Sequence, residues 1–546
     1  MRFRRGRRSA GAYSLCGPSA LAENRGPAGG DVVEGAALGL GMEGRALGTL
    51  ETEVVIIGGG FTGVAIAREL SRYKVDVILV ERSGELAAGA SKATLGHIYT
   101  GLNMVGSMIL KSVVLPPGTP LTVENVHDTK ALVNQWNEEG FDEWGRILDD
   151  LGVEHKNTHL LIVGKNKEHA EDFKKYLMLG RMAGGIYADF EQVGRDRIFE
   201  LEPHISRDIE TALYAKDHII DVFPPELVIA IAENAVENGT RILLNADVTG
   251  ITRHQNSQTV QTTNGAIKTR FVVNAAGGWA DKVADMGGSR NWGLKFNKTQ
   301  LMFLDRRLNP LLNGAVRWPN KPGQIEVVER RIDNIMVECG TYDPTEDPGD
   351  TGTMREDMLK GLAIGRTLLP GISEKDVIAA FAGVRFFNTR TPGDHIVEFP
   401  PDNPLFLNVI IRLPGIIGAP PMARYVVEML KKAGLELAPN EKFDPIRKPF
   451  PRIRGAGIEE RQRLAAESPA FGRVVCRCEE VTEGEIVEAV RRGARTVDGV
   501  KMRTRASMGR CQGNFCSAKI AAILAREMKQ PIEAITKKGT RSNYAG

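Results

Sequence analysis

The sequence predicts an α/β protein in three parts: a parallel sheet covered by helices, a mixed-sheet domain interleaved with it, and a small helical domain near the C-terminal end. Three observations carry this. An apolar strand, a glycine-rich turn, a periodic helix and a second apolar strand follow one another in "EVVIIGGGFTGVAIARELSRYKVDVILVERS". Residues 241–276 read as short strands separated by turn residues, with "RILLNADVTGIT", "QTVQTTNG" and "TRFVVNAAGG" in succession. Finally, four of the six cysteines, Cys476, Cys478, Cys511 and Cys516, fall in one short segment, while Cys16 and Cys339 stand alone.

A chain of 546 residues exceeds the ~250 to 300 at which single cores stop growing, so more than one domain is expected. Lys and Arg number 71 against 68 Asp and Glu, a formal net charge of +3. That balance gives no electrostatic case for nucleic acid or an anionic membrane. No apolar run reaches the ~18 residues of a spanning helix, so membrane association would come through a partner. Clustered cysteines without a secretory segment read as metal ligands in a reducing, cytoplasmic setting.

Residues 1–49 are Arg-rich, then rich in Gly and Ala, without a sustained period. They are expected to be disordered or a non-native extension, with Met42 an equally good start. "GLGMEG", residues 39–44, satisfies G-x-G-x-x-G but lacks strand and helix context.

Order begins at Val54–Ile57, an apolar run suited to a strand buried on both faces. Gly58, Gly60 and Gly63 then lead into a helix with Val64, Ala67 and Leu70 on one face, and a second strand ends at Glu81. This is the Rossmann-like dinucleotide context: a tight turn, pyrophosphate on a helix N-terminus, and an acid for a ribose hydroxyl. Beyond it, residues 125–240 alternate helical stretches with short strands, and residues 436–470 read as a linker. A second strand-borne glycine fingerprint is missing, while a later apolar strand ends in Gly277 and Gly278. The combination points to FAD rather than a nicotinamide nucleotide.

"GASKATLGHIYTG", "VVNAAGGWAD", "FAGVR" and "PGIIGAP", taken in order with the first motif, resemble the D-amino-acid-oxidase-like FAD-dependent oxidoreductases over about residues 52–435. The resemblance implies a glutathione-reductase-like FAD domain built from residues 50–110, 225–295 and 380–435. Residues 111–224 and 296–379 would form the substrate domain. It implies that Gly58, Gly60, Gly63 and Glu81 hold the ADP half, that Val248 presents backbone to the adenine, and that Ser91, Lys92, Gly96, Gly277, Gly415 and Gly418 lie by the flavin.

The cysteines are spaced C-x-C, 32 residues, C-x4-C. Spacing alone favours a metal and leaves zinc and an iron–sulfur centre both open. Between the pairs, Thr482 and Glu485 form a capping box and Gly493 stands where that helix should stop. A second helix follows Cys516, with its positive end toward the site. Residues 474–519 resemble the bacterioferritin-associated-ferredoxin type of 2Fe-2S domain, expected over 471–530 with a tail at 531–546. That resemblance implies that the four cysteines bind a 2Fe-2S cluster.

A flavin holds two electrons and such a cluster accepts one at a time, so the pairing implies a dehydrogenase that exports single electrons to a protein subunit or quinone-linked partner. A hetero-oligomer, cytoplasmic or membrane-associated through that partner, follows as an expectation. By resemblance Arg385 binds the anionic group of a small substrate, and a guanidinium suits a carboxylate or phosphate. The family's polyol-phosphate and 2-hydroxy-acid members make glycerol 3-phosphate the first expectation and L-2-hydroxyglutarate the next. The alternatives are an amine or amino-acid dehydrogenase, or a non-catalytic electron-transfer subunit. Three departures bear on this: Phe386 stands where relatives have Pro, Tyr99 where many have His, and Gly393 near an expected second arginine, for which Arg390 is the substitute. His97, Tyr99 and His395 are the candidates for the base that takes the hydroxyl proton.

Overall fold

The computed structural model describes residues 49–99, 132–183, 189–319, 324–332, 334–341, 343–392, 394–412, 415–539 and 542–544. The expectations for residues 1–48 and for Gly393 lie outside these. Strands Phe406–Ile410, Gly265–Asn274, Leu50–Ile57, Val77–Val80 and Arg241–Leu243 lie side by side in that order, all parallel. Ile396–Glu398 adds an antiparallel edge, and Val248–Arg253 and Gln258–Thr262 form a meander with Gly265–Asn274.

The apolar run 54–57 explains the sheet's place. Val54 and Ile56 enter one core with helices Phe61–Leu70, Pro224–Glu237 and Ala419–Lys432. Val55 and Ile57 enter a second core with Val260, Val283 and Trp292 on the other face. Each such side chain is worth ~1.5–3 kcal/mol when fully buried, so only a strand covered twice can use all four.

A second, ten-stranded sheet takes strands from residues 97–99, 155–164, 191–222, 294–345 and 377–388. His97–Tyr99 and Val377–Asn388 pair here, with Thr211–Val222 and Leu294–Leu304 respectively. Periodicity identifies a strand but not its sheet.

At the C-terminal end, Val474–Cys476 and Val481–Thr482 pair as a short ladder. Helices Glu483–Arg491, Val497–Thr504 and Ser517–Met528 pack around Ile486, Val500, Ile520 and Leu524. The capping box forms: the Thr482 hydroxyl accepts from Glu485 N–H and the Glu485 carboxylate accepts from Thr482 N–H at 2.8 Å. Gly493, at φ +97°, follows that helix.

Residues 436–470 are more than a connecting stretch. They carry helix Ile458–Glu467 and bury Arg447, which bonds Glu233 at 2.7 Å and the Leu151 carbonyl at 2.7 Å. We expect Thr482→Ala to cost about 1 kcal/mol of stability, read by urea unfolding of the holoprotein followed through its visible spectrum.

Candidate active site

Three strands of the parallel sheet end at one edge, in the register Ile57 beside Asn274 and Asn274 beside Asn408. The turns that follow carry the glycines, and the carboxyl edge of such a sheet is where dinucleotides bind. Gly58 has φ +117°, and a Cβ there would sit 2.4 Å from the Ala275 carbonyl oxygen. At Gly63 a Cβ would sit 1.9 Å from the Gly58 carbonyl oxygen. Only glycine therefore allows this strand, turn and helix to close. Gly60 caps helix Phe61–Leu70 with no side chain of its own, and the Ser91 hydroxyl accepts from the Phe61 N–H at 3.1 Å. The Glu81 carboxylate accepts from Gly59 N–H and Ser83 N–H, each at 2.8 Å. Gly58, Gly60, Gly63, Glu81 and Ser91 thus converge on one helix N-terminus with orphan N–H groups and a nearby acid, a cradle that fits the ADP half of FAD.

The remaining nominated residues surround it. Lys92 lies on the same loop, where desolvation of the amine, against the opposing effect of Asp498, lowers its pKa. Gly96 (φ +71°) starts His97–Tyr99, and Gly277 (φ +59°) starts the turn after Gly265–Asn274, facing Phe386. Gly418 caps helix Ala419–Lys432 and lies against Trp136, with Gly415 in the preceding turn. Val248 is buried at the start of its strand beside Thr262.

On the second sheet, charged side chains gather below the Ser91–Ala93 loop. Arg385 donates to Glu338 at 2.7 Å and to the Ala93 carbonyl at 3.0 Å. Arg317 donates to Glu329 at 2.6 Å, with both side chains at most 3% exposed. His97 lies fully buried with Nδ1 3.0 Å from Glu329 and Nε2 3.8 Å from Asp221. Burial first, and Glu329 and Glu338 next among the raising causes, push up the Tyr99 phenol, keeping it neutral and a donor. Desolvation pushes Glu338 up against the pull of Arg385.

His395 stacks on Trp136 at 5.1 Å, and its Nδ1 accepts from the Arg412 N–H at 3.1 Å. Burial, then Arg412, lower its pKa from 6.5 to about 3. Arg390 pairs with Glu398 at 2.6 Å and Asn291 at 2.7 Å, partly exposed, and so is committed to the surface. Sequence reasoning missed Arg317, Glu329, Glu338 and Arg412. For Arg317, Glu329 and Glu338 the only signal was charge inside apolar strands, which ordinarily marks a solvent-facing side.

The four cysteines form two pairs. Cys478 and Cys511 sulfurs are 3.6 Å apart and partly exposed, and Cys476 and Cys516 are buried, each shifting the other's titration. Two thiolates on one tetrahedral metal with ~2.3 Å bonds stand ~3.8 Å apart, so a sulfur pair at this spacing fits one iron. Among the described residues, no three His, Cys, Asp or Glu converge on a single ion. A Cβ at Gly509 would sit 2.3 Å from that of Cys478, so Gly509 makes room for the thiol. Backbone groups of Glu479, Ser507 and Cys511 lower the titration of the neighbouring thiols. Their loops hold Glu480, Arg505, Ser507 and Gln512 at positive φ, strain of the kind that clusters at functional sites.

A flavin-dinucleotide cradle, a buried polar face beneath it and a paired-thiol centre define an oxidoreductase with two redox groups. The chain belongs to the FAD dependent oxidoreductase family, whose model matches residues 53–429, and residues 474–526 match the BFD-like 2Fe-2S binding domain. It is 32% identical over 489 residues to a glycerol 3-phosphate dehydrogenase of Caloramator mitchellensis, covering 89% of this chain and 96% of that one. To subunit A1 of the anaerobic glycerol-3-phosphate dehydrogenase of Haloferax volcanii it is 28% identical over 529 residues, covering 87% of this chain and 83% of that one. In fold it is similar to the FAD-bound L-alpha-glycerophosphate oxidase of Mycoplasma pneumoniae, with TM-score 0.64, 24% identity, and 74% and 100% of the chains covered.

Two measurements check this site. Gly63→Ala should leave the protein without bound flavin, read as loss of yellow absorbance while the cluster spectrum persists. For His395, the unfolded chain takes up a proton below its ordinary 6.5 while the fold refuses it until about 3. Stability is therefore lost as pH falls through that window, by about 1.4 kcal/mol per unit. Urea unfolding at about pH 7 and about pH 5.5 should show a steeper acid loss in the wild type than in His395→Asn.

Proposed function

We propose that the protein is a glycerol-3-phosphate dehydrogenase that delivers its electrons through the cysteine-bound cluster to an acceptor subunit or quinone-linked partner. One observation carries the reading: a single chain joins the FAD domain to the 2Fe-2S domain, and its relatives include chains named as subunits of anaerobic glycerol-3-phosphate dehydrogenases, among them one of Escherichia coli, 26% identical over 521 residues. When bound, the flavin takes a hydride equivalent and the cluster relays single electrons. Cys476, Cys478, Cys511 and Cys516 are the ligands proposed for the cluster.

The chain's own groups supply the rest. Arg385 and Arg317 offer guanidinium forks for the phosphate, a better match to its geometry than an ammonium. Glu338 Oε2, buried and without a hydrogen-bond partner among the described residues, offers an acceptor for a substrate hydroxyl. Tyr99, neutral, donates. His395 holds the Arg412 backbone and stays unprotonated, so it positions rather than takes a proton. His97, between Glu329 and Asp221, is the group proposed to receive the hydroxyl proton. No helix of the described residues is long and apolar enough to cross a membrane, and membrane association would run through the partner.

Anaerobic addition of glycerol 3-phosphate should bleach the flavin band within seconds, whereas L-2-hydroxyglutarate and amino acids should leave it. Bleaching by an amino acid instead would overturn the substrate assignment, and bleaching by none would favour an electron-transfer subunit.

A further inference from the structure

The loop that follows Glu81 is held from two sides. On one side it embraces the dinucleotide turn: Ser83 N–H donates to Glu81, the Ala87 N–H donates to the Gly59 carbonyl at 3.0 Å, and the Leu86 side chain fills the space a Gly59 Cβ would take. On the other side it meets the cluster domain through Glu85, which is 3% exposed. Its carboxylate accepts from the Arg495 N–H at 3.2 Å, the Thr496 hydroxyl at 3.0 Å and the Arg503 guanidinium at 3.1 Å. The fit is close enough that a Cβ on Gly499 would sit 1.9 Å from Glu85 Oε1. Gly84 also lies against Gly539 of the C-terminal tail, whose Thr536 and Lys537 carbonyls accept from Val497 and Asp498 N–H.

We infer that Glu85 is a positioning residue for FAD, and that the cluster domain, by gripping it, locks the loop that shapes the dinucleotide turn. The path is short and made of discrete contacts: Arg503, Thr496 and Arg495 hold Glu85, Glu85 fixes residues 83–87, and these hold Glu81 and Gly59. No domain-wide deformation is needed. Arg503 is in turn held between Glu85 and Glu233, at 3.1 and 3.9 Å, so the grip does not relax into a different rotamer cheaply. Because coupling in binding free energy is reciprocal, FAD must in its turn tighten the seating of the cluster domain.

The test uses the full chain with both redox groups loaded. Glu85→Gln removes the charge from the loop side. Gly499→Ala pushes the same carboxylate aside from the cluster-domain side without touching the loop. Each should raise the FAD dissociation constant, read by recovery of free-flavin fluorescence, roughly tenfold, the scale of one charge-assisted hydrogen bond. Iron and acid-labile sulfide content should stay at the wild-type level, which a general loss of structure would not allow. Because both act on one contact, the double variant should be little worse than either single one. An unchanged dissociation constant in either variant, or fully additive effects, would overturn the inference. Should a variant not fold, the wild type decides. Stripping its FAD should speed the loss of cluster iron to a chelator, and adding FAD back should restore protection; an unchanged rate of iron loss would refute the coupling.

Discussion

The structure rests on a lattice of buried carboxylates and guanidiniums between its parts. Glu233, on the helix that covers the parallel sheet, takes Arg447 at 2.7 Å and Arg492 at 3.4 Å. Glu479 beside Cys478 takes Arg454 at 3.0 Å and Arg505 at 3.3 Å. Burying a charge costs several kcal/mol unless it is paired and hydrogen-bonded, so such pairs add little net stability over apolar packing. What they do is select one seating of the cluster domain, because any other leaves charges unpaired. Two redox groups in one chain exchange electrons usefully only if their separation is fixed, and an acid–arginine lattice supplies that fixity where a smooth apolar interface would allow sliding.

The same chemistry shapes the substrate face. Arg385 is already engaged by Glu338, and Arg317 by Glu329. In the reading proposed above, an incoming anion shares these arginines rather than meeting bare cations, and the paired carboxylates are then available to hydroxyl donors. A balanced face of this kind discriminates by the placement of donors and acceptors more than by charge. Beside this ion-paired face the Tyr99 phenol is held neutral, and Phe386 faces Gly277 at the sheet edge.

Much of this is legible in the sequence where the signal is local. Gly58, Gly60, Gly63 and Glu81 lie within one strand–helix–strand unit, so their spacing dictates their geometry. The Thr482 and Glu485 box and the stop at Gly493 are equally local. The cysteines are visible as a cluster, although their pairing is not: Cys478 faces Cys511 and Cys476 shifts the titration of Cys516, across a fold rather than along the chain. Arg317, Glu329 and Glu338 stay hidden because a charged residue in an alternating strand reads as exposed until the sheet facing it is known. That Val377–Asn388 pairs with Leu294–Leu304 is hidden for the same reason, since a strand's own sequence does not name its neighbours. Arg447 lies within a stretch that reads as a linker because its partner Glu233 is more than 200 residues away in the chain.

The most direct test of the central claim, electrons passing from flavin to a two-iron centre within one polypeptide, is low-temperature electron paramagnetic resonance of the anaerobically purified protein after adding glycerol 3-phosphate. The account predicts a paramagnetic signal of a reduced 2Fe-2S cluster that grows as the flavin bleaches, with iron and acid-labile sulfide each near two per chain. Flavin reduction without any such signal, in a protein carrying zinc and no iron, would contradict it.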